Sequence, residues 1–264
     1  MNSTLVLKKL DFKVKTALYL GWGRGSDYSE TAWTSRQDAD LQEFVDSALR
    51  QFYFPFLEGG ETYDWGFLKP TATVTLKSGD STVLLPDDCG GVMGKLTATV
   101  SGESSGVSLD FGPIGDVYQK HHDLPEATGW PEICCVEPVK GTTYVSGQRH
   151  QIKVWPIADQ AYVLNFQYYL VPDALSDASP YAYGGPAHTE TILEGCLAMA
   201  EQRRDDLKGL HTQNFQERLK ASIAMDRKLK PRQLGYCGDS SDYGRTRFWL
   251  HRPVTVTFNG VAYP

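Results

Sequence analysis

The chain has 264 residues, a formal net charge of −6 and a pI near 5.5, with 41% apolar and 22% charged residues. That length can bury a large core, as one large domain or two modest ones. The acidic balance argues against a nucleic-acid-binding groove, which would carry a basic patch, yet an acidic wall that merely lets DNA pass is compatible with it.

No apolar run approaches membrane-spanning length. Lys8 and Lys9 interrupt the stretch where a secretion signal would need its apolar core. Cys89, Cys134, Cys135, Cys196 and Cys237 are odd in number and include no CxxC. The adjacent Cys134-Cys135 pair suits neither an ordinary disulfide nor zinc spacing, so reduced thiols made in a cytosol are expected.

Residues 4–20 are expected to be a helix, although the pattern also allows a strand, and GWGRGSDYSETAW follows as a loop. Leu41, Phe44, Val45, Ala48, Leu49 and Phe52 recur at i, i+3, i+4, i+7, i+8 and i+11. This is the cleanest amphipathic helix in the chain, with Asp38 or Asp40 as its cap and Pro55 as its stop.

From Gly59 to Val171 short β-rich runs alternate with turns. They are Ala72–Leu76, Thr82–Leu85, Lys95–Val100, Val107–Phe111, Ile133–Val136, Thr142–Val145, Gln151–Val154 and Tyr162–Leu170. Such spacing predicts a β-sandwich or small barrel, with a short helix at Ile114–His122. The last run is the clearest: Tyr162, Leu164, Phe166, Tyr168 and Leu170 share one face, Asn165 and Gln167 the other. Pro172 stops that ladder. A corner rich in proline, with Gly184-Gly185 open to positive φ, leads to a helix over Thr189–Leu210. A second helix, Phe215–Leu229, places Phe215, Leu219, Ser222, Ile223 and Met225 on a core-facing stripe, and Gly209 with His211–Asn214 forms the joint.

The fold class expected is therefore α+β. Helices of the N- and C-terminal segments form a bundle (residues 1–58 and 173–234), into which an antiparallel β-sandwich or barrel-like domain (59–172) is inserted. Residues 235–264 begin glycine-rich and end extended and aromatic, as an arm. Two readings of that arm stay open: a last strand docked on the chain's own sheet, or a segment added to a neighbouring subunit.

No catalytic constellation stands out. His121, His122 and Asp123 are adjacent and cannot share one metal easily. His188, Glu190 and Glu194 open a helix and match no zinc motif, so the carboxylates read as capping. Asp87 and Asp88, with Glu132, could serve glycoside hydrolysis only as carboxyls spaced across a sugar bond, whereas PDD–GG more often makes a turn. GWGRG lacks the strand–turn–helix context of a dinucleotide site. Neither a metal nor a cofactor is expected. The 6 Trp and 14 Tyr suit core packing and also protein interfaces. YDWGFL (63–68) falls where the helical and β parts meet, and its bland reading is hinge packing.

Several ordered blocks carry a family look. They are an amphipathic helix ending in FxxP (Phe52–Pro55), YDWGFLKP (63–70), VLLPDDCGGVMGKLT (83–97) and TGWPE (128–132). WPIADQAYVLNFQYYLVPDALSD (155–177), PYAYGGPAHTETILEGCLAMAE (180–201) and LKASIAMDRKLKPRQLGYCGD (219–239) complete the series. Over roughly residues 38–240 the chain resembles the head-to-tail adaptor, or tail-tubular-type connector, proteins of tailed bacteriophages, especially short-tailed ones. The resemblance implies a non-enzymatic structural protein of the virion neck, assembled in the host cytoplasm, with no membrane partner. It implies a homo-oligomeric ring of twelve copies below the portal protein, joined to a tail nozzle or other tail protein. Genomic DNA would pass through its lumen without sequence-specific binding. It also implies that the C-terminal arm meets the portal, through Arg247, Phe248, Trp249, Arg252 and Phe258. Subunit contacts would then use Arg203, Arg204, Leu207, Phe215 and Leu219. The competing reading is a virion-associated carbohydrate- or receptor-binding protein using the aromatic β part; a glycoside hydrolase ranks behind both.

Overall fold

The computed structural model describes residues 5–22, 33–56, 60, 62–100, 106–139, 149–205 and 209–229, together with the backbone of 256–258 and 261–263. The chain divides into two compact units, residues 1–229 and 230–264.

Helix α1 (Lys9–Leu20) begins where the Asp11 carboxylate accepts the Lys8 N–H at 2.8 Å, and it ends at Gly21 in the left-handed region (φ +74°). It buries Phe12, Thr16 and Ala17. Lys13 is buried as well, held by Asp38 with Nζ 2.8 Å from Oδ1. Helix α2 (Ser35–Tyr53) carries the expected apolar stripe, and all six stripe residues are buried. Its cap is not Asp38 or Asp40. Thr34 and Gln37 form a reciprocal capping box instead, Thr34 Oγ1 accepting from Gln37 N and Gln37 Oε1 accepting from Thr34 N. The two aspartates are released for ion pairing, Asp38 with Lys13 and Asp40 with Arg203.

After a 3₁₀ turn at Gly66–Leu68 the chain enters the β part. Its strands are β1 (Thr71–Leu76), β2 (Thr82–Leu84), β3 (Cys89–Val100), β4 (Gly106–Phe111), β5 (Thr128–Gly129), β6 (Ile133–Val139), β7 (Arg149–Trp155), β8 (Ile157–Ala158) and β9 (Tyr162–Leu170). Helix α3 (Ile114–Asp123) lies between β4 and β5. Seven strands form one sheet in the order β1-β9-β3-β4-β6-β7-β2, and β5 pairs β8 separately. The two edge strands, β1 and β2, are consecutive in the chain, so the sheet curls into a nearly closed barrel. All its pairings are antiparallel except β4 with β6, whose crossover contains α3.

The expected strand 162–170 is present with those bounds and buries Tyr162, Leu164, Phe166, Tyr168 and Leu170. It lies between β1 and β3, which explains its unbroken apolar face. Strand β3 starts six residues before the expected Lys95, at Cys89. The Cys89–Gly94 stretch reads as a turn because of its glycines, yet it is paired strand with a register shift between Met93 and Thr97, where Gly94 takes φ +67°. The expected strand 142–145 lies outside the described residues.

Helix α4 (Pro186–Asp205) and helix α5 (Leu210–Leu229) return the chain to the helical part. The expected boundary between them is corrected. Leu210 and the 211–214 stretch belong to α5, because the Glu201 carboxylate accepts from His211 N (3.2 Å) and Thr212 N (3.3 Å) and caps that helix earlier. The core-facing stripe of α5 is also corrected at one position. Met225 is 44% exposed, and Asp226, four residues after Ser222, occupies the buried face.

One apolar core runs without a break from Phe12, Phe52 and Ile192 of the helices to Leu76, Leu96, Ile152 and Leu164 of the sheet. Fully burying each such side chain stabilises by roughly 1.5–3 kcal/mol. No helix among the described residues is long and apolar enough to cross a membrane. In the second unit, β10 (Val256–Phe258) pairs antiparallel with β11 (Val261–Tyr263).

Candidate functional site

Two peptide segments join the helices to the barrel, and both lock onto the end of α2. In the first, Trp65 Nε1 donates to the Phe52 carbonyl (3.0 Å). Tyr63 Oη donates to Asp226 Oδ2 (2.8 Å), and Gly66 N donates to the same carboxylate. In the second, Tyr183 N donates to Tyr53 Oη at 2.9 Å. Burial raises the pKa of both Tyr53 and Tyr63, so each hydroxyl stays a proton donor.

Between the segments stands His188, in the first turn of α4. Its ring packs against Phe52, Trp65 and Phe67 at centroid distances of 5.7, 5.5 and 5.4 Å. It is 3% exposed, and Nδ1 has no hydrogen-bond partner among the described residues. Burial lowers its pKa, against the opposing pull of Asp226. Gly184 permits this closeness: at φ +98°, a Cβ there would stand 2.9 Å from His188 Cδ2 and 3.2 Å from Phe67 Cζ. His188 and Asp226 were not singled out as joint residues in the sequence. A polar residue at core phase on an otherwise apolar helix stripe is the signal that marks Asp226.

The carboxylates considered for hydrolysis sit in a turn. Cys89 N donates to the Pro86 carbonyl around it, Arg149 pairs with Asp87, and Tyr168 Oη donates to Asp88 at 3.2 Å. The Tyr168 hydroxyl is pushed up to about 12 by burial and by the Asp88 charge. Glu132 is exposed just before β6, where its backbone bonds Trp155 and Asp110. A pair in a turn with one member neutralised by arginine is not a hydrolytic dyad. His121 Nε2 lies 2.8 Å from the Val154 carbonyl, while His122 is exposed. Among the described residues no group of three His, Cys, Asp or Glu is placed to hold a metal. Cys134 and Cys135 are buried in β6, and burial pushes the Cys134 thiol up to about 12.

The helical faces bear the remaining candidates. Arg203 and Arg204 are exposed at the end of α4; Arg203 faces Asp40 at 3.6 Å, and Arg204 donates to the Tyr19 carbonyl. Phe215 is buried where α2, α4 and α5 cross, against Ala48 and Gly195. Leu219 is half-buried. Both line an apolar groove of about 730 Å³ between those three helices, which continues past the exposed Phe54 and Phe56. Leu207, Arg247, Phe248, Trp249 and Arg252 lie outside the described residues, and Phe258 is described only as backbone in β10.

The arrangement is one of packed rings, ion pairs and an apolar groove. The sequence matches the family described as SU10 adaptor protein over residues 10–234. No curated protein matches it.

Proposed function

The chain belongs to the SU10 adaptor protein family of bacteriophage structural proteins, and from that premise we propose that it forms a ring below the capsid portal and joins the portal to the tail. The observation that carries this reading is the family match, which spans both helical ends and the whole barrel. Twelve copies around a channel that admits DNA are the form proposed, in the neck of the virion, assembled in the host cytoplasm. The net charge of −6 supports a lumen along which phosphates slide without sticking.

The joint fits the same role. A connector passes load between two partners, and here two chain segments, three rings around His188 and the Asp226 carboxylate fix the barrel to the helices. Subunit contacts through Arg203, Arg204, Leu207, Phe215 and Leu219, and portal contact through Arg247, Phe248, Trp249, Arg252 and Phe258, are part of the proposal. Arginine and tryptophan are the residues most enriched among interface hot spots.

Removing residues 245–264 tests the arm. Because residues 1–229 form a unit of their own, the truncated chain is expected to keep its circular dichroism and melting temperature while losing co-sedimentation with portal particles. Portal binding equal to that of the full chain would remove the arm from the account.

A further inference from the structure

We infer that the outer face of the barrel over β1, β9 and β3 binds a saccharide chain, at a site that does not depend on the ring reading.

The face follows from strand register. Thr71, Gln167 and Met93 lie side by side. The next row is Thr73, Asn165, Thr97 and Ser108, and the one after it Thr75, Val163, Thr99 and Gly106. Their alternate neighbours Leu96, Ala98, Leu164 and Phe166 are buried in the core, so these rows point outward. In a chain with 22% charged residues, none of these positions carries a charge.

At one end of the face is a cleft of about 460 Å³, lined by Thr71, Thr73, Lys95, Asn165 and Gln167. A bulge opens it. Gly94, Lys95 and Leu96 stand opposite the single residue Phe166, between the pairs Met93↔Gln167 and Thr97↔Asn165. Gly94 takes φ +67°, Leu96 stays fully buried, and Lys95 is exposed at the cleft. Bulges of this kind re-aim a side chain and interrupt the ladder beside it. Strand propensity accounts for the threonines but not for that bulge.

Hydrogen bonds within the face decide which polar atoms it offers. Thr97 Oγ1 donates to the Asn165 carbonyl (3.4 Å) and Thr99 Oγ1 to the Val163 carbonyl (3.2 Å). Gln167 Nε2 donates to the Lys69 carbonyl at 3.0 Å. Those two hydroxyls and Gln167 Oε1 are thereby left as acceptors, while the Lys95 ammonium and the Asn165 amide supply donors. The next outward residue of β9 is Tyr169, 39% exposed. Lys69 Nζ lies 5.3 Å from its ring centroid, and its hydroxyl donates to Asp64 at 3.3 Å, so the ring is held in place. Its partner on β3 is Gly91, which puts no side chain beside it.

This chemistry selects the ligand. A nucleic acid needs a basic patch, and a single lysine is not one. A protein partner needs apolar anchors at the centre, where this face has hydroxyls and amides. A saccharide matches: its hydroxyls both donate and accept, and its C–H faces stack on an aromatic ring. Lys95 adds a partner for the carboxylate of a uronate unit.

The full chain, applied to an array of neutral and uronate-bearing bacterial oligosaccharides, tests the site. Retention of at least one of them is expected. A diazirine-bearing form of the retained oligosaccharide should cross-link to peptides containing residues 71–73, 95 or 165–169. Tyr169→Ala and Thr73→Glu, both at exposed positions, should each weaken binding about tenfold with an unchanged melting temperature. Lys95→Ala separates the two sources, with loss for uronate-bearing ligands and no change for neutral ones. No retention on the array, cross-links confined to other peptides, or binding that survives in both Tyr169→Ala and Thr73→Glu would overturn the site.

Discussion

His188 shows how much one side chain can report about the joint. Its ring is enclosed by Phe52, Trp65 and Phe67, and its buried Nδ1 has no partner among the described residues. Such a site favours the neutral imidazole, so its pKa in the fold lies below the ordinary 6.5. The unfolded chain then binds the proton first on acidification. The stability that His188 contributes is complete above about pH 6.5 and is lost as pH falls from there through the folded pKa. Exchanging His188→Phe keeps a ring in the box and removes the titration. Denaturant melts of this variant should lose stability less steeply than the parent below about pH 6.5. Identical slopes would mean that His188 is not titrating against the fold. The residue was legible in the sequence only as the opening of a helix, because nothing in the local pattern announces which rings will surround it. The Cys134-Cys135 pair was legible: it falls in the short β-rich run Ile133–Val136, where buried thiols are expected, and both thiols are buried there.

At the scale of elements, alternation and helical phase located most of what the molecule contains. The strand 162–170 and the α2 stripe follow directly from spacing, and the short helix expected over Ile114–His122 is present as Ile114–Asp123. The departures come from partners distant in sequence. Lys13 draws Asp38 away from capping, Glu201 starts α5 early, and a glycine-rich stretch becomes strand because β9 lies beside it. The corner before α4 contains two glycines of unequal importance. Gly185 (φ +71°) has open space where a Cβ would go, so Gly185→Ala costs only the left-handed strain, about 1 kcal/mol. Gly184 adds contact with His188 and Phe67 to a φ of +98°, so Gly184→Ala should cost more, about 2–3 kcal/mol. Urea titrations of the two variants rank them; equal losses would show that the packing around Gly184 yields freely.

For the whole molecule, the α+β class and the run of strands were readable, while the choice between a sandwich and a barrel stayed open. Closure depends on β2 pairing β7 rather than its neighbour β1, a long-range choice that local pattern does not encode; Leu76, Ile152 and Val154 are fully buried in the resulting sheet. The adaptor family was readable from ordered blocks on either side of the two joints. The groove was not, since it arises where three helices distant in sequence leave a shared apolar seam. A barrel joined to a helical body by one continuous core, and a separate C-terminal unit, together suit a part that repeats around an axis. Electron cryomicroscopy of the particle neck tests this most directly, by locating and counting the chain. The account predicts a closed ring of twelve copies between portal and tail, encircling the DNA path. Finding the chain at the tail tip or on fibres, or in the neck without ring symmetry, would contradict it.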